Sequence, residues 1–120
     1  MKRLLAIAFG AALAALGCAS APPAPLEEIG RAKLALEQAE RSGGTQHAEL
    51  EMKLAREELA AAESSLAAKA YEPARRSAEQ AEVNARLALV KARRAEAEKA
   101  TNELKQTLHA MQEEIDHGTR

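Results

Sequence analysis

The chain has 120 residues, with 17 Lys/Arg against 18 Asp/Glu and a formal net charge of -1, which leaves room for one small domain and gives no basic excess to attract nucleic acid. With one Tyr, one Phe and no Trp, base stacking and an aromatic-lined ligand pocket are both disfavoured. Alanine, leucine, glutamate, lysine and arginine dominate, all good helix formers, so the expected fold class is all-α, with a core made largely of alanine methyl groups and interleaved leucine.

The N-terminus reads as a leader. Met1-Lys2-Arg3 is a basic start and Leu4 to Leu16 an apolar run interrupted by Gly10, too short to span a membrane, which takes about 20 apolar residues. Ala14-Ala15-Leu16-Gly17-Cys18 closes that run on the sole cysteine and resembles a bacterial lipoprotein cleavage site. Ala15 stands where leucine is more usual. The resemblance implies cleavage of residues 1–17, a diacylglyceryl thioether on Cys18 and an acyl group on its amine, an anchor worth about 0.8 kcal/mol per buried methylene. The alternative is an ordinary secretory signal cleaved nearby, after Ala19 or Ala21. Ala19 occupies the place where aspartate commonly retains lipoproteins in the inner membrane, so the expected location is the periplasmic side of the outer membrane.

Residues 18–25 then form a tether, since Pro22, Pro23 and Pro25 forbid a continuing helix. A first helix is expected from about Leu26 to Arg41, with Ile29, Ala32, Leu36 and Ala39 on one face, closed by Ser42-Gly43-Gly44. Thr45 is the expected N-cap of a second helix, whose apolar face is Ala48, Met52, Ala55, Leu59, Ala62 and Leu66. Acids four residues before bases (Glu27/Arg31, Glu37/Arg41, Glu49/Lys53, Glu72/Arg76, Glu82/Arg86) suit solvated helix surfaces. The next break falls at Lys69-Ala70-Tyr71-Glu72-Pro73, with Pro73 in the first turn of a third helix and Tyr71 packed near the turn.

That third helix meets no further proline or glycine before Gly118. Its apolar positions show an eleven-residue echo, Ala74/Ala85, Ala78/Leu89 and Ala81/Ala92, then Ala97/Leu108, Ala100/Met111 and Leu104/Ile115, which favours a nearly straight or slightly right-handed course over a left-handed heptad coil. Val83, Leu87 and Val90 add a second apolar face, so the stretch from Val83 to Ala92 reads as a packing centre covered by two helices. Helices one and two are expected to form an antiparallel hairpin, with the third running antiparallel to the second. The second helix can cover the third only to about Ala97, giving a three-helix domain over 26–97 and an overhang over 98–120. Leu104, Leu108, Met111 and Ile115 form a stripe on that overhang, the candidate interaction element.

Leu66-Ala67-Ala68-Lys69-Ala70-Tyr71-Glu72-Pro73-Ala74, followed by Ala78-Glu79-Gln80-Ala81 and Ala85, resembles the bacterial family known as domain of unknown function 4398, over roughly Leu26 to Lys91. The resemblance implies a short, alanine-rich helical envelope protein. The turn before Tyr71 lacks the glycine or aspartate common in the family. Some relatives carry a downstream peptidoglycan-binding domain; none is expected here before Arg120, so that activity is not carried over. The Tyr-x-x-Ala step also resembles one tetratricopeptide unit, but about three stacked units are needed for a peptide groove.

Catalytic patterns are missing from the sequence. His47, His109 and His117 have no zinc spacing; His109 and Glu113 share a helix face near Asp116 and His117, which reads as a polar helix end. Ser64, Ser65 and Ser77 have no evident histidine and acid partners, Glu57-Glu58 and Glu113-Glu114 belong to solvated faces, and Lys91, Arg93, Arg94 and Lys99 are diluted by Glu96 and Glu98. The expectation is therefore no enzyme, no cofactor and no metal, but a lipid-anchored structural or adaptor protein that binds itself or another envelope protein. A shallow peptide or small-ligand groove around Tyr71 and binding to peptidoglycan are the alternatives.

Overall fold

The computed structural model describes residues 22–119. The leader, Cys18 and Arg120 lie outside the described residues, so the lipidation and cleavage expectations do too. Four helices follow in order: α1 (Leu26–Arg41), α2 (Gly44–His47), α3 (Glu49–Ala67) and α4 (Tyr71–Gly118). The fold is all-α, with α1 bounded as its pattern indicates. The interposed α2 is a difference from the three-helix expectation.

Three buried clusters give the topology. Ile29, Ala62 and Ala78 meet at one level, Ala35, Ala55 and Ala85 at the next, and Ala39, Ala48, Met52 and Ala88 at the third. Numbers rise along α1, fall along α3 and rise along α4, so the helices run up, down and up, with α1 and α4 parallel and α3 antiparallel to both. Apart from Ile29 and Met52, every buried hydrophobic side chain among the described helices is alanine. With only a methyl group at the contact, backbones approach closely and less apolar area is buried per residue than in a leucine core.

The buried positions of α4 are Ala74, Ala78, Ala81, Ala85, Ala88 and Ala92. They alternate steps of four and three, so they repeat every seven residues and not every eleven; Ala88, and not Leu89, takes the deep position. The same alternation runs through Ala48, Met52, Ala55, Leu59, Ala62 and Leu66 on α3, where the two leucines are half-buried. Heptad spacing on neighbouring helices is the pattern associated with left-handed packing, and it replaces the eleven-residue echo as the spacing of the buried face of α4.

Two turns join the helices, and each relies on one left-handed residue. After α1 it is Gly43, at φ 81, whose N–H donates to the Glu40 carbonyl at 3.1 Å. After α3 it is Lys69, at φ 58: the Ala70 N–H reaches back to the Ser65 carbonyl at 2.8 Å and the Lys69 N–H to Leu66 at 2.9 Å. This is the Schellman closure, made here without glycine. Thr45 does not cap α3. It lies inside α2, and Ala48 precedes α3 without any side-chain cap. The start of α4 is at Tyr71, two residues before Pro73, which still sits in the first turn where its missing N–H is harmless.

Gly44 sits where α1, α2 and α3 converge. A Cβ there would lie 2.8 Å from the Ala39 carbonyl oxygen and 2.9 Å from the Met52 sulfur, so this close approach requires glycine for space.

Candidate interaction surface

Polar contacts fix α4 lengthwise against the other helices. At its start the Arg75 guanidinium donates to Glu28 at 2.9 Å and to the Pro23 carbonyl at 3.4 Å. Further along, Arg31 donates to Glu82 at 3.3 Å, Lys91 donates to Glu51, and His47 of α2 meets Glu96 at 3.3 Å. Glu51 is the one buried charged residue described, 8% exposed, and the Lys91 ammonium holds its carboxyl below the usual carboxylate range. Of the expected same-helix pairs, Glu27/Arg31, Glu37/Arg41 and Glu82/Arg86 form. Lys53 turns instead to Glu57 and Glu72 meets Arg75.

Beyond Ala95 the burial of α4 ceases: every described residue from Glu96 to Thr119 is exposed. The helix nevertheless continues unbroken to Gly118. Leu104, Leu108, Met111 and Ile115 lie on one stripe of this free half, between 55% and 60% exposed. Such a stripe on a helix without a neighbour is what a docking face looks like before it is covered.

The stripe is longer than the sequence pattern alone indicated. Val83 (59% exposed), Leu87 and Val90 (63%) do not face a second covering helix; they point away from the bundle. At 100° per residue they lie about 160° around α4 from Ala81, Ala85, Ala88 and Ala92, so one face of this segment is packed and the opposite one is bare. Their steps of four and three continue without a shift through Arg94, Ala97 and Thr101 to Leu104, Leu108, Met111 and Ile115. The signal was present in the sequence, but the eleven-residue echo took Leu104, Leu108, Met111 and Ile115 as a continuation of the alanine face and left Val83, Leu87 and Val90 outside it.

The remaining candidates are placed more simply. Tyr71 is half-buried at the first position of α4, outside all three buried clusters, and Pro73 is exposed. His109 and Glu113 are exposed near the end of α4, where the Glu113 carbonyl meets His117 Nδ1 at 2.7 Å. Among the described residues no three His, Cys, Asp or Glu side chains gather as a metal-like group, and no helix is long and apolar enough to cross a membrane.

An alanine-cored bundle of three long helices and the short α2, with α4 running far past its neighbours, is the class that this geometry defines. The family model for the domain of unknown function DUF4398 matches residues 27–104, and the chain belongs to that family. A crystal structure of a DUF4398 family protein from Pseudomonas aeruginosa is similar, with 38% sequence identity and a TM-score of 0.75, covering 79% of this chain and 98% of that one. No curated protein sequence matches. The family match extends past Lys91 into the projecting half of α4.

Proposed function

We propose that this protein is a non-catalytic, lipid-anchored structural or adaptor component of the cell envelope, held at the periplasmic side of the outer membrane through Cys18, and that it binds through α4. One observation carries the binding part: α4 leaves its bundle near Ala95 and still aligns Leu104, Leu108, Met111 and Ile115 on a bare stripe. An isolated helix of this length is marginal in water, and a stripe that nothing covers is a cost in solubility that a docking partner removes. The lipoprotein-like order Ala14-Ala15-Leu16-Gly17-Cys18 supports the anchor.

A photo-crosslinking residue in place of Leu104 or Leu108 should capture a discrete protein in the native cell, and Leu108→Glu in the Leu104 probe should abolish the capture. Mass spectrometry of the mature N-terminus should find an acylated Cys18, and Cys18→Ser should release the chain from the membrane fraction. Capture unaffected by Leu108→Glu would remove the binding role; an unmodified N-terminus beyond Cys18 would remove the anchor.

A further inference from the structure

We infer that the bare stripe of α4 is an antiparallel coiled-coil seam that pairs with the same seam of a second copy of this chain, centred between Asn102 and Glu103. This rests on the reading of α4 as the binding element and names its occupant. From Val90 to Ile115, the part that this centre pairs, the seam residues alternate steps of four and three for about three and a half heptads, within the length over which a coiled-coil pattern becomes diagnostic. Because the seam is nearly opposite the alanine face packed on α1 and α3, a second helix can lie along it without displacing either.

Charge and side-chain size select one alignment. In an antiparallel pair with this centre, Val90 faces Ile115, Ala97 faces Leu108 and Thr101 faces Leu104 of the second copy, so small residues meet large ones along the seam. The residues flanking the seam then pair as opposites: Glu98 with Lys105 and Arg93 with Glu114, each twice by symmetry. All four side chains are exposed in the single chain, and Glu98 would share its carboxylate between Arg94 of its own helix and Lys105 of the second copy. Arg94, the one charge within the seam, already donates to Glu98 at 2.7 Å; it faces Met111, can lay its aliphatic stem along the seam and keep its guanidinium at the rim.

Other alignments are opposed by like charges. Sliding the copies by one heptad brings Glu98 onto Glu98 in one direction and Lys105 onto Lys105 in the other. A parallel pair in register stacks Arg94 on Arg94 and sets Arg86 beside Lys91, against one favourable pair, Arg93 with Glu98. Repulsion in the wrong registers is how coiled coils restrict themselves to one.

The test uses the full chain in mild detergent, so that any acyl group is retained. Sedimentation should give a dimer at tens of micromolar. Glu98→Lys should weaken it about tenfold or more, as should Lys105→Glu, and the double exchange should restore it, since the two reversed charges again face each other as opposites. A parallel pair would not be restored, because the lysine introduced by Glu98→Lys would meet Arg93. Oxidation of a mixture of Ala97→Cys and Leu108→Cys chains should link the two, with neither variant linking to itself. A monomer throughout, no rescue by the double exchange, or self-linking of Ala97→Cys would overturn the proposal. If the chain is monomeric while Leu104→Glu still abolishes capture of a different protein in cells, self-pairing fails and the adaptor role stands; if neither changes, both fail.

Discussion

At Gly44 the space between the Ala39 carbonyl and the Met52 sulfur is smaller than a methyl group requires. Gly44→Ala should therefore destabilise the chain by about 1–3 kcal/mol through overpacking, read as a lower urea midpoint. Lys69 offers the opposite case. A residue with a Cβ held at φ 58 carries a left-handed cost that glycine lacks, so Lys69→Gly should raise stability by about 1 kcal/mol. Glu51 makes stability depend on pH in a defined direction. Its carboxyl is held below the usual range by Lys91, so the pair contributes above the carboxylate's ordinary range and its contribution is lost as pH falls through the lowered value. The difference in thermal midpoint between wild type and Glu51→Gln should be present near pH 7 and shrink in acid. These residues were only partly legible in the sequence: Gly44 read as part of a helix stop and Lys69 as the start of the second break, while Glu51 carried no signal, because each role depends on what other segments bring to it.

Helix α4 combines two regimes in one unbroken element. Up to Ala92 its alanines are sealed against α1 and α3, whereas from Glu96 on its backbone hydrogen bonds have only their own helix to protect them. Hydrogen exchange should therefore find slow amides between Ala74 and Ala92 and fast ones beyond Ala97 in dilute solution. With rising concentration, protection should spread from Val90 to Ile115 if the seam pairs, whereas protection independent of concentration would show that the free half is stable alone. The unbroken run was legible because nothing between Pro73 and Gly118 stops a helix. Its two faces were less so. Periodicity reports that Val83, Leu87 and Val90 are apolar on one side, but not whether a neighbour exists on that side. The short α2 escaped for a related reason: four residues are too few to show a period.

Over the whole molecule, the all-α class and the family followed from composition, the two breaks and the Tyr71 segment, while the order of levels in the core had to come from the three clusters. Those clusters have a mechanical consequence. Because α1 and α4 run in the same direction, the start of α1 and the far end of α4 lie at opposite ends of the molecule, and α4 alone measures about 72 Å. Tension between Pro25 and Gly118 would slide α4 along α1 and load the alanine levels together, with Arg75–Glu28 and Arg31–Glu82 resisting in the same sense. Tension between Pro25 and Lys69, which lie at the same end of the bundle beside the Ile29–Ala62 level, would instead open the levels one after another. Pulled from Pro25 and Gly118, the bundle is thus held in shear along its strongest direction, and its alanine core, thin as it is, yields only when every level gives way at once.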